Sequence, residues 1–337
     1  MKFLLFTRLQ KARVDVIILG ANELKDDLQM LQKLMNNRIV VVCGALLSCA
    51  LWGISTPIVK LGYDHIDEKH IPSLLLWVGL LFLCAGMLTI GGFSIFQKKL
   101  ALPKKESLKG VGVVALLQTV LQYSLLYIGL SHTTSVKGAI LKSTDVFFVA
   151  LIASLVFRFE KLTVKKLVSC LIGFAGIVIM NLDGSKININ LGDGIVIAAI
   201  LCYSISVVMT RIFCKNESPI ILCGYQMGLG GTVLAIAGLG FGGSFDFVGM
   251  LPVFIGLVLI YAVSYTVWTV LLKYNSASSV TIFSFMTPVF GVIFSAFLLA
   301  EDGGVAIPSL IVALVLVCAG IILWGYEKKP KTTDNSN

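Results

Sequence analysis

Apolar residues in this chain come in ten runs of about 20, separated by short polar connections. They fall at about 39–61, 72–95, 110–130, 134–157, 163–181, 192–213, 219–241, 251–272, 277–299 and 305–325. A helix rises about 1.5 Å per residue, so some 20 apolar residues cross the roughly 30 Å core of a bilayer. The pattern predicts an all-α integral membrane fold with ten transmembrane helices. Backbone polar groups in lipid must be satisfied inside their own segment, which favours helices over open strands.

The ten runs read as two successive five-run copies. Thr144-Asp145-Val146-Phe147 in the fourth run lines up with Thr287-Pro288-Val289-Phe290 in the ninth. Each leads to an acid, Glu160 and Glu301. The fifth and tenth runs close on similar phrases, GFAGIVIM and VCAGIILW. The first copy is read as 38–181 and the second as 182–326. Residues 1–37 form a mixed, basic N-terminal extension placed on the cytoplasmic side, and Met35 is an alternative start. Residues 327–337 form a polar tail. An odd number of spans per copy inverts the second copy relative to the first, a common plan among secondary transporters.

Composition agrees. Hydrophobic residues are 57% of the chain and charged residues 13%, with a mean hydropathy of +0.93. A soluble domain carries about 25% charged residues. The net charge of +9 is no sign of nucleic-acid binding, because the basic residues sit between apolar runs. One set of alternate connections holds Lys98, Lys99, Lys104, Lys105, Lys109, Arg158, Lys161, Lys165, Lys166, Arg211, Lys215 and Lys273. The other set is rich in acids such as Asp64, Asp67, Asp183 and Asp246. The positive-inside rule then puts both termini in the cytoplasm. The reading is a multi-pass protein of a bacterial plasma membrane. The eight cysteines lie in or beside apolar runs with no CxxC pair, so neither disulfides, a metal nor another cofactor is expected.

The phrase ALWGISTPIVK (Ala50 to Lys60), Thr287 to Phe290, the trailing acids and the paired run ends together carry a family likeness. The chain resembles the drug/metabolite transporter superfamily and, within it, the EamA-type permeases. The resemblance implies ten helices, cytoplasmic termini and alternating access. It also implies a central cavity lined by spans one, three, four, six, eight and nine. Substrates would be amino acids, other small metabolites or drugs, usually exported. Asp145 stands where the second copy has the family-like Pro288, a departure specific to the first copy.

Charges inside the membrane are costly and usually functional. Lys137, Lys142 and Asp145 lie in the fourth run, with the acid angularly between the two bases at about 100° per residue. They line a cavity or lock the span as an internal ion pair. Asp145 is also the candidate carrier of a coupling proton. Gln118 and Gln122 share a face in the third run. Tyr261, Tyr265 and Trp268 form a stripe in the eighth, suited to cation binding or to packing. Trp52 and Tyr203 complete the cavity candidates. Pro57 and Pro288 are candidate hinges or plain kinks. The expected function is a secondary transporter that exports a small metabolite such as an amino acid. The alternative is a drug or organic-cation efflux permease. A membrane-embedded enzyme is disfavoured, since His132 has no nucleophile at a useful spacing, and a scaffold has no need of midplane charges. The expected partners are a small-molecule substrate, the bilayer and a coupling proton or ion.

Overall fold

A computed structural model describes residues 37–67, 69–133, 135–181, 190–299 and 307–325. The expectations for the N-terminal extension, for Glu301 and for the tail lie outside them. Among the described residues every regular element is helical. The chain divides into two units, and the described part of the first, residues 37–43, is the start of the first helix. There Asn37 Oδ1 accepts from the Ile39 amide at 2.9 Å. The second unit begins at Gly44 and holds everything that follows.

The helices are α1 (Arg38–Leu61), α2 (Ile71–Phe96), α3 (Leu108–Leu130), α4 (Ser135–Val156), α5 (Val164–Asn181), α6 (Leu191–Phe213), α7 (Pro219–Gly240), α8 (Phe247–Tyr274), α9 (Ala277–Leu299) and α10 (Ile307–Gly325). Among the described residues eight are long and apolar enough to cross a membrane, and Pro308–Trp324 is a shorter apolar helix. The remaining helix, α5, has 18 residues. Their starts obey local chemistry. Asn190 and Asp193 form a reciprocal capping box at α6. Asp246 accepts from Val248 and Gly249 at α8. Pro219 opens α7, where its missing N–H costs nothing.

Three helices are irregular. In α3, Ala115–Leu121 is a π-helical stretch. In α4, Ser135–Lys142 and Asp145–Leu151 are separate helical pieces with a turn at Ser143 and Thr144, followed by π-helical Ile152–Val156. In α9, the 3-10 segment Ile282–Phe285 separates Ala277–Thr281 from Met286–Leu299. Both hydroxyls of the α4 turn bond backwards, Ser143 to the Ala139 carbonyl at 2.9 Å and Thr144 to that of Leu141 at 2.6 Å. Such local bonding competes with the helical ladder.

Packing joins the two copies directly. On α2 and α7 the glycines bring backbones together. A Cβ at Gly79 would lie 2.3 Å from the Ala235 nitrogen, and one at Gly231 2.4 Å from that of Leu83. Gly230, Gly231 and Gly238 thus serve close helix packing, the common use of small residues in membranes. A second seam joins α5 to α10, where Gly320 approaches the Ser169 carbonyl and Gly176 that of Ala313. Other contacts come in exchanged pairs. Helix α1 meets α9 at Gly53 and Gly291, and α4 meets α6. Helix α3 meets α6 at Gly129 and Val196, and α8 meets α1 at Gly62 and Met250.

Candidate functional site

Asp145 begins the second piece of α4 and is 7% exposed. Facing it is Ser284, in the 3-10 segment of α9. Its hydroxyl lies 3.2 Å from Oδ1 and 3.1 Å from Oδ2, and 2.8 Å from the Thr281 carbonyl. The interruptions of α4 and α9 therefore meet across the copies. Tyr203 of α6 lies within electrostatic range of Asp145, Cys49 and Tyr123, and beside Trp268. Cys49 of α1 points its thiol at the Phe283 carbonyl, 3.2 Å away. These contacts gather α1, α4, α6, α8 and α9 around one level.

An aromatic cluster adjoins it. Trp52 packs edge-on against Tyr265 at 5.3 Å and Trp268 at 4.9 Å between ring centroids. Phe82 touches Tyr123, Tyr261 and Tyr265. The Tyr123 and Tyr265 hydroxyls are 2.8 Å apart. The stripe on α8 and Trp52 thus come together, joined by Tyr123 and Phe82, which sequence inspection did not single out. Their signal was weak, since aromatic residues are common throughout membrane helices. Among the described residues several buried polar atoms here find no hydrogen-bond partner, including Trp52 Nε1 and Gln122 Oε1. Gln118 and Gln122 are both buried, at 6% and 8% exposure.

The charges of α4 separate. Lys137 donates to Asp193 Oδ2 at 3.0 Å, and Thr133 also donates to that carboxylate. The trio envisaged on α4 is therefore split: Lys137 belongs to a cluster at the start of α4 and α6. The reason is that Asp193, from the second copy, lies closer to it than Asp145, more than two turns along its own helix. Lys142 feels the charge of Asp145. It closes no ion pair or hydrogen bond among the described residues. At the far end of α4 the left-handed Arg158 (φ 54°) turns the chain. Glu160 then accepts from Ser278 and lies 3.5 Å from Arg211 and 3.9 Å from Lys166. Asp193 and Ser284 were missed because each is an ordinary polar residue until its partner on the other copy is known.

The proline positions are specific. Helix α1 continues through Pro57, which is buried. Pro288 sits in the first turn of the last piece of α9. A Cβ on Gly53 would fall 2.5 Å from that of Phe290. Both prolines thus lie within about a turn of the closest approach of α1 and α9.

The model of the EamA-like transporter family matches residues 39–182 and again 190–326. The chain belongs to the EamA-like transporter family. This family assignment makes it a multi-pass membrane protein, and points to a transporter rather than an enzyme. It is similar to an uncharacterized transporter of Archaeoglobus fulgidus, 23% identical over 82% of this chain and 94% of the relative. It also resembles the uncharacterized transporter YyaM of Bacillus subtilis, 25% identical over 34% of this chain. That match spans only 39% of the relative's length. A solved crystal structure superposes with a TM-score of 0.70 at 15% identity, over 86% of this chain and 97% of its own. At that identity the likeness concerns the fold.

Proposed function

We propose that the protein is a secondary transporter that exports a small metabolite, an amino acid or a similar solute, by alternating access. The observation that carries this is the meeting of two interrupted helices, α4 and α9, at corresponding places in the two copies. Discontinuous helices near the midplane are where transporters bind solute and ions. Irregular backbone at that depth is tolerated where it is buried or lines a water-filled cavity. The reading includes ten spans, two inverted copies and both termini in the cytoplasm. The exchanged helix pairs support a two-fold relation between the copies, and an odd number of spans in each copy would make that relation an inversion.

The candidate residues take roles accordingly. Asp145 and Tyr203 stand at the interruption, Trp52, Tyr265 and Trp268 form the aromatic wall, and Pro57 and Pro288 flank the α1–α9 crossing. A second reading, efflux of organic cations, is favoured by the aromatic cluster, since ring faces attract cations. Counterflow with purified protein in liposomes decides. Amino acids, nucleosides, organic acids and lipophilic cations are each tested for exchange. Exchange of a metabolite supports the first reading, and exchange confined to cations supports the second. No exchange of any solute would sink both.

A further inference from the structure

We propose that the α2–α3 connection, with the two connections beside it, docks onto the headgroups of anionic phospholipids in the bilayer that holds the protein. Two helices end at this face in the same uncommon way. After Phe96, Lys98 takes a left-handed conformation (φ 52°), and the amides of Lys98 and Lys99 donate back to the Ile95 and Ser94 carbonyls, each at 3.1 Å. Glycine is the usual residue at such a helix end, because a side chain there is strained. At the end of α4, Arg158 takes the same conformation (φ 54°). Among the described residues no other non-glycine position has a positive φ, so both carry a cation where the backbone favours no side chain. The α6–α7 connection ties the two ends together. Lys104 Nζ donates to the Asn216 carbonyl at 2.7 Å, and Lys215 Nζ lies 5.3 Å from the centre of the Phe159 ring.

The chain after Lys98 is a fixed platform. The Ala101 amide donates to Ser94 Oγ at 3.0 Å, and the Ala101 carbonyl accepts from the Tyr225 hydroxyl at 3.1 Å. The Lys104 amide donates to Glu217 Oε2 at 2.8 Å. Ala101 thus faces inward, 4% exposed, while its neighbours Leu100 and Leu102 face outward at 65% and 61%. Lys98, Lys99, Lys104 and Lys105 are exposed among them, as are Arg158 and Lys215. The acids of these connections do not cancel that charge. Glu217 is buried and Glu160 is turned toward Ser278 and Arg211, which leaves Glu106 exposed. Setting the orientation of a span needs only the number of cations in a loop. It gives no reason to pin the backbone. A soluble polyanion would match the lysines and leave the leucines bare. An anionic lipid matches both, with its phosphate at the ammonium groups and its acyl chains against Phe96, Leu100 and Leu102.

The test titrates the full chain in detergent with phosphatidylglycerol, with phosphatidylcholine of the same acyl chains, with glycerol 3-phosphate as the free headgroup, and with heparin as a soluble polyanion. Bound lipid is counted by native mass spectrometry, and stabilisation is read from the melting temperature. Phosphatidylglycerol should bind at least tenfold more tightly than phosphatidylcholine, and added salt should narrow the gap. Glycerol 3-phosphate at equal concentration should not displace it. Lys98→Gln, Lys99→Gln and Lys105→Gln combined should bring phosphatidylglycerol to within threefold of phosphatidylcholine. Lys69→Gln, at the opposite end of α2, should keep the full preference. Leu100→Ser with Leu102→Ser should lower the affinity for phosphatidylglycerol at least threefold. Equal binding of the two lipids to the native protein would overturn the proposal, and that measurement needs no variant. So would an undiminished preference in the combined lysine variant, or displacement of the lipid by its free headgroup. Heparin bound more tightly than phosphatidylglycerol, and equally well by the leucine variant, would give the surface to a soluble polyanion and overturn it too.

Discussion

One hydroxyl proton at Ser284 faces three acceptors: two oxygens of Asp145 and the Thr281 carbonyl. A hydroxyl has a single proton to give. An amide in place of the carboxylate would supply a second. Asp145→Asn should therefore fold with an unchanged melting temperature, yet abolish pH-driven uptake into inverted vesicles. Full coupling in that variant would remove Asp145 as the proton carrier. Ser284→Ala leaves a buried carboxyl without its hydroxyl partner and should cost about 1–3 kcal/mol of stability. Thermal unfolding measures it. Outside the membrane, Asp246 has its carboxyl held below the usual range by the Gly249 amide, with His65 3.2 Å away assisting. A depressed pKa means that the stabilisation is present above the unfolded-state value, about 3.9, and is lost as pH falls through the folded one. Asp246→Asn should flatten the fall of melting temperature below about pH 4. An identical slope in both proteins would show that the cap carries no such stabilisation.

Among the elements, the α2–α7 seam has the sharpest steric demand. A methyl group at Gly231 would strike backbone, 2.4 Å from the Leu83 nitrogen and 2.6 Å from the Gly79 carbonyl. Gly228, on the same helix, has open space where its methyl would go. Gly231→Ala should cost about 1–3 kcal/mol or more by overpacking, and Gly228→Ala almost nothing. Comparable melting temperatures for the two would contradict the seam. Element placement was legible in the sequence because hydrophobic run length is a strong signal. The α8 stripe was legible too, since helical spacing alone puts Tyr261, Tyr265 and Trp268 on one side. The breaks in α4 and α9 were not. Ser143 and Thr144 are unremarkable in a membrane span until their hydroxyls are seen bonding backwards. That turn also defeats the helical wheel, so arithmetic at 100° per residue could not carry Lys137 and Asp145 past it. The partners Asp193 and Ser284 lie 56 and 139 positions away, beyond any periodicity.

At the scale of the whole molecule, α4 is held by its ends. Lys137 ties its start to α6 through Asp193, and Glu160 ties its finish to Arg211 of α6 and Ser278 of α9. The copies are also joined where a helix meets its own counterpart: α2 with α7, and α5 with α10. A patch that meets its equivalent is what a two-fold dimer of separate subunits presents, the same surface used twice and complementary to itself. The covalent link between the copies is then dispensable for assembly. Residues 1–185 and 186–337, made as two polypeptides in one cell, should find each other and co-purify as a folded pair. Either half alone would leave its glycine faces bare and should aggregate or be degraded. At the paired interruptions the two copies carry different chemistry, a carboxylate at Asp145 in one and a proline at Pro288 in the other, so co-expressing two identical halves would restore the seams but not the pairing of α4 with α9.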